Sequence, residues 1–95
     1  MLSIIVESSM VMRPLTQVSV AADRALELWS LPPQGAPVSL GLISSSGATV
    51  LARERLPRTL LRGGTAQLAV SLEPPGGSPT GAPTGPVLYA GRLTL

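Results

Sequence analysis

The sequence predicts an all-β chain: an antiparallel β-sandwich of immunoglobulin-like, two-layer architecture with a long Pro/Gly-rich loop. Three observations predict it. Apolar residues recur at every second position through most of the chain, the pattern of half-buried strands. The alternating segments are short and separated by clusters of Pro, Gly and Ser, as in sandwiches built from hairpins and turns. Leu, Ile and Val number 27 of 95 residues, enough for a core, and the ten Gly and ten Pro stay below the roughly 25–30% at which disorder becomes the default. A chain of this length is expected to make one domain, 1–95.

The elements follow in order. Leu2, Ile4 and Val6 alternate with Ser3 and Ile5; Ser8-Ser9 offers a turn, Met10-Val11-Met12 resumes an extended segment, and Pro14 interrupts it. Val18 and Val20 predict a strand by the same rule. Ala21–Leu28 could be helical, but the spacing of Leu26 and Leu28 and the Trp29 that follows favour a strand. Val38, Leu40 and Leu42 alternate with Ser39 and Gly41, and Leu68, Val70 and Leu72 alternate with Ala69 and Ser71. Val87, Tyr89, Gly91 and Leu93 form the last alternating set. The expected core is Leu26, Leu28, Leu40, Leu68, Val70, Leu72, Val87 and Tyr89. Pro32-Pro33-Gln34-Gly35, Ser44-Ser45-Ser46-Gly47 and Arg62-Gly63-Gly64 carry turn chemistry. Pro57–Leu61 fits a single helical turn with Pro57 at its first position.

One segment stands apart. Nine of the 13 residues from Pro74 to Pro86 are Gly or Pro, and they include a tandem repeat, Pro79-Thr80-Gly81-Ala82 and Pro83-Thr84-Gly85-Pro86. Each Pro removes a ladder donor, so the segment cannot be a central strand. It reads as a long solvated loop between two strands. The functional alternative is a semi-rigid arm that a partner could grip.

Composition excludes much chemistry. The chain has no His, Cys, Lys or Asn. Within it there is therefore no Ser-His-Asp triad, thiol nucleophile, nitrogen- or sulfur-ligated zinc site, Schiff-base lysine or disulfide, and no cofactor is expected. Seven Arg face five acids for a net charge of +2. Four of the Arg fall at Arg53, Arg55, Arg58 and Arg62, where interruption by Glu54 and Pro57 suggests a solvated rim. With one Trp, one Tyr and no Phe there is no stacking platform, so nucleic acid is not an expected partner. The longest apolar run, Val87–Ala90, is far short of the roughly 20 residues of a spanning helix.

Few residues remain for a site. Among the carboxylates, Glu27 and Glu73 lie in or next to strands that could be neighbours. A hydrolytic pair would need a cleft about 5–10 Å wide between them. In so small a domain such acids are usually solvent-facing or paired with Arg. Trp29 shares a face with Glu27, opposite Leu26 and Leu28, and is expected in the core or as a lid residue under a loop. Gly76-Gly77 after Pro74-Pro75 could offer backbone N–H groups to an anion, although a tight turn is the plainer reading.

Two motifs carry a family resemblance. Leu26-Glu27-Leu28-Trp29, a Pro/Gly turn and Gly35-Ala36-Pro37-Val38-Ser39-Leu40-Gly41 form the first. Leu68-Ala69-Val70-Ser71-Leu72-Glu73-Pro74-Pro75-Gly76-Gly77-Ser78-Pro79, followed by Pro83-Thr84-Gly85-Pro86-Val87-Leu88, forms the second. In this order they resemble the C-terminal domain of the anti-sigma-K factor family over about positions 18–93. The motif positions are Leu28, Trp29, Gly41, Glu73, Pro74, Gly76, Gly77 and Ser78, with structural or interaction roles.

The resemblance implies a bacterial single-pass membrane protein that controls an extracytoplasmic-function sigma factor. In such proteins a cytoplasmic N-terminal domain holds the sigma factor, a transmembrane helix follows, and a β-rich domain lies outside the cytoplasm. The chain is expected to be that outer domain alone, a fragment of the larger membrane protein, switched by stepwise proteolysis. Its expected partners are a regulatory protease or a sensory protein. Sigma factor and membrane would be reached only through segments outside this sequence, and no catalytic residues carry over. The alternatives are a free-standing β-sandwich binding or adhesion module and, in a third class, a small hydrolase.

Overall fold

The computed structural model describes residues 2–6, 9–15, 19–52, 54, 56 and 65–94. They form seven strands: β1 (Leu2–Val6), β2 (Ser9–Pro14), β3 (Ala25–Leu31), β4 (Val38–Ile43), β5 (Thr49–Ala52), β6 (Thr65–Glu73) and β7 (Val87–Thr94). No α-helix occurs among the described residues. Every pairing is antiparallel, in a three-stranded sheet of order β1-β2-β5 and a four-stranded sheet of order β4-β3-β6-β7. Lettered along the chain as A, B, C, C′, E, F and G, this is ABE facing C′CFG, the immunoglobulin-like sandwich that the alternation predicts.

The core lies between the sheets. Met10, Met12 and Leu51 from the first meet Leu26, Leu28, Leu40, Leu68 and Val70 from the second, with Leu56 alongside and Val20, Ile43, Leu72 and Tyr89 packed against them. Pro14 ends β2 beyond Met12, the last residue paired with β5, so its missing N–H costs no bond to that strand.

The structure corrects several expectations. Val87 is not in the core; it is 53% exposed. The register between β6 and β7 shifts after Val70, so that Val70 faces Tyr89 but Ser71 faces Val87, and Leu88 is the extra residue of a bulge. The bulge reverses the alternation and turns Val87 to the outer face. A second shift, between Leu28 and Trp29, makes Leu40 the extra residue on β4. Leu40 stays buried, and Leu42, opposite Glu27, is exposed. No strand forms at residues 19–24, where the Arg24 N–H closes a turn on the Ala21 carbonyl at 3.0 Å. Val20 packs against the core from that loop, so its apolar character reflects burial and not pairing. β5 is an element that alternation does not reveal. The helical turn expected at Pro57–Leu61, and Arg53, Arg55, Arg58 and Arg62, lie outside the described residues.

Candidate functional site

β3 and β6 pair at the centre of the four-stranded sheet, Leu28 with Val70, Glu27 with Ser71 and Ala25 with Glu73. Strand geometry sends alternate side chains to opposite faces. Leu26, Leu28, Leu68 and Val70 therefore fill the core, and Glu27, Trp29, Ala69, Ser71 and Glu73 occupy the outer face. The outer face of a sandwich is ordinarily wet and polar. Here these five residues are buried, Trp29, Ser71 and Glu73 at 0% exposure, and Gln67 at the far end of the face is exposed.

The roof over this face is the segment 74–86, which we call the strap. Pro74-Pro75-Gly76-Gly77 opens it with a turn, the Gly77 N–H donating to the Pro74 carbonyl at 2.9 Å. Pro75 and Gly76 take the two central positions, and the positive φ at Gly76, 86°, fits a type II turn. The turn reading of Gly76-Gly77 is therefore correct. At this turn the N–H that meets a carboxylate is not a glycine's but that of Ser78, which donates to Glu27 Oε1 at 2.7 Å. Gly77 lies so close to this carboxylate that a Cβ there would stand 3.0 Å from Oε1.

Glu27 is held on its other side by the Ser39 hydroxyl, which donates to Oε2 at 2.5 Å. Ser39 in turn accepts from the Gly41 N–H at 3.2 Å, beside the β4 bulge. The far end of the strap is tied to Glu73. The Thr84 N–H donates to Oε2 at 3.0 Å, the Thr84 hydroxyl to Oε1 and the Gly85 N–H to Oε2 at 3.3 Å. Ser71 donates its hydroxyl to Glu73 Oε2 at 2.5 Å and accepts the Trp29 indole N–H at 2.8 Å. The Leu72 N–H reaches the Pro86 carbonyl at 2.9 Å and joins the end of the strap to β6.

Burial is the largest influence on the Glu73 pKa and raises it. The donors from Ser71, the Thr84 side chain and the Thr84 and Gly85 backbone together outweigh burial and hold the carboxyl below its ordinary value. Both acids thus depart from the expectation of solvent-facing residues or arginine partners: hydroxyls and backbone N–H groups of the chain itself surround them. Among the described residues every buried side-chain nitrogen and oxygen has a hydrogen-bond partner.

The motif positions therefore separate. Trp29, Gly41, Glu73, Pro74, Gly76, Gly77 and Ser78 come together around the strap, and Leu28 sits on the opposite face in the core. Trp29 is fully buried on the outer face with its indole N–H held by Ser71, in keeping with the core or lid place expected of it. Sequence reasoning missed Ser39, Ser71 and Thr84 as the partners that hold the acids, and Gly85 as the tight approach. A signal was present: Ala69, Ser71 and Glu73 make one face of β6 small and polar, with room for a cover.

The profile of the family described as "Anti-sigma-K factor rskA, C-terminal" matches residues 2–87. That span holds β1 to β6, both glutamates and the whole strap. No curated protein and no solved structure matches the chain. The match runs through every residue that builds the site, and the chain belongs to the anti-sigma-K factor C-terminal domain family.

Proposed function

We propose that this chain is the extracytoplasmic regulatory domain of a bacterial membrane-bound anti-sigma factor, and that it governs release of an extracytoplasmic-function sigma factor through regulated proteolysis. The observation that carries the reading is the family match across residues 2–87. The domain 1–95 is one folded unit of a larger membrane protein. Sigma factor is held by a domain outside this chain, and the membrane is crossed by a helix outside it; no helix among the described residues is long and apolar enough to cross one. Its direct partners are proteins: a regulatory protease or a sensory protein.

The geometry supports regulation without catalysis. Glu27 and Glu73, the acids most suited to paired chemistry, are buried and already occupied by internal donors. A protease acts on segments that open, and a backbone tied into ladders opens rarely. The sandwich therefore shields whatever it covers until a signal loosens it. The test is a reporter driven by the cognate sigma factor in cells carrying the whole protein with positions 18–93 deleted. Basal or induced transcription is expected to change. Unaltered output at normal protein abundance would remove the sensor role.

A further inference from the structure

The strap is held in an unusual way. None of its 13 residues is fully buried; Pro75, Gly76, Pro79, Thr80, Gly81, Thr84 and Pro86 are exposed and the rest half-buried. It has no regular secondary structure, and its hydrogen bonds at residues 78–82 are largely internal, Ser78 and Thr80 both donating to the Ala82 carbonyl. Its ties to the sheet are two carboxylates and one ladder-like bond: Glu27 to Ser78, Glu73 to Thr84 and Gly85, and Leu72 to Pro86. Glu27, Trp29, Ala69, Ser71 and Glu73 are buried on the face beneath, although the strap buries little of itself. Elements with few buried apolar contacts open before the core does.

We propose that the strap is an acid-released latch: protonation of Glu73 lets residues 74–86 lift from the four-stranded sheet and exposes Trp29 while the sandwich core stays folded. The inference does not depend on the regulatory reading, because it concerns an equilibrium within this chain. An ionised carboxylate accepts from several N–H and O–H donors at once, whereas a protonated one must place a proton among them. The row beneath the strap runs from exposed Leu42 on β4 through Glu27 and Ser71 to exposed Val87 on β7, with Trp29 on the same face one row along.

Among the described residues the charged surroundings are simple. On β3, Glu27 is the diagonal neighbour of Glu73 on the same face, since Glu27 pairs with Ser71. Asp23 and Arg24, ahead of Ala25, are exposed. On β7, exposed Arg92 pairs with Gln67, well away from Ser71, and Tyr89 pairs with Val70 on the core side. The strap itself carries no ionisable side chain. Glu73 has a lowered pKa in the closed form. Its contribution is therefore complete above its free value of about 4.3 and is lost as pH falls through the closed-form value below that.

Trp29 is the sole Trp of the chain and reports opening directly. The experiment follows acrylamide quenching of Trp29 and the far-ultraviolet strand signal of the 95-residue chain from neutral pH to about pH 3, below the free glutamate value. Quenching is expected to rise severalfold before the strand signal falls, and in Glu73→Gln, which lacks the titrating group, it should already be raised at neutral pH. Quenching and strand loss that coincide in the unaltered chain would overturn the latch, and so would a Glu73→Gln chain that folds and opens at the same pH as its parent. Should Glu73→Gln not fold, Thr84→Val, which keeps the backbone donor and loses the hydroxyl, replaces it. Easier opening then supports the latch, and an unmoved profile overturns it.

Discussion

Gly85 is where the strap and β6 come closest, and replacing it with Ala isolates the value of that contact. A Cβ on residue 85 would lie 1.7 Å from the Leu72 carbonyl oxygen and 2.9 Å from its carbon. Both are backbone atoms, so no rotamer change relieves the overlap, and the strap must move away. Forced backbone displacement of this kind costs about 1–3 kcal/mol. The movement pulls on the Pro86 carbonyl, which accepts from Leu72 at 2.9 Å, and on the Gly85 N–H, which donates to Glu73 at 3.3 Å. A neutral bond is worth about 0.5–1.5 kcal/mol net and one to a charged group about 1.5–3. Partial loss of both brings Gly85→Ala to about 3–5 kcal/mol, a large part of the roughly 5–15 kcal/mol that holds a domain together. Gly81→Ala is the control. Gly81 has φ +80° and open space around the would-be Cβ, so the penalty there is the left-handed backbone alone, about 1–2 kcal/mol. Urea unfolding with linear extrapolation measures both. A Gly85→Ala loss no larger than that of Gly81→Ala would show that the strap does not sit against Leu72.

Two further substitutions test the two faces of β6. Leu68→Ala, on the core face, is expected to cost about 2–5 kcal/mol, and Gln67→Ala, exposed on the same strand, under about 0.5; equal effects in thermal melts would invalidate the face assignment. Ser71→Ala, on the roofed face, leaves the Trp29 indole N–H without its acceptor and Glu73 without one donor, for an expected loss of about 2–4 kcal/mol in the same melts. A neutral Ser71→Ala would mean that water or a neighbour takes over both bonds.

Much of the sandwich is legible because burial on one face imposes a period of two. β3 and the centre of β6 follow that period without interruption, and there Leu26, Leu28, Leu68 and Val70 are placed correctly. The reading fails where one inserted residue changes phase. Leu88 and Leu40 are each the extra residue of a bulge, and nothing in the composition of either strand marks them in advance. It fails again where an element is too short for a period to show: β5 has four residues, with Val50 63% exposed beside buried Leu51. The site is harder to read than the fold. The burial of Trp29 is expected of a Trp in a sandwich strand, but the fate of Glu27 depends on Ser78, 51 residues away, and that of Glu73 on the loop folding back instead of outward. Residue type shows that an acid is present; only the topology brings the donors to it.

The composition of the strap explains why acids stand beneath it. Five of its 13 residues are Pro and have no N–H to give, so few backbone donors are left to fasten it. Three of those that remain, on Ser78, Thr84 and Gly85, point to carboxylate oxygens of the sheet. An apolar roof on an apolar face could be as stable, because burying a charge costs several kcal/mol before its partners compensate. It would not fix which residues lie over which strands, since hydrophobic contact is non-directional. A carboxylate with two oxygens and several donors is satisfied in few arrangements, and the geometry at Glu73 uses both of its oxygens. Glu73 and the run Pro74-Pro75-Gly76-Gly77-Ser78 therefore form one physical unit. The acid needs donors, the glycines let the backbone turn back within reach, and the prolines limit where else the chain can go.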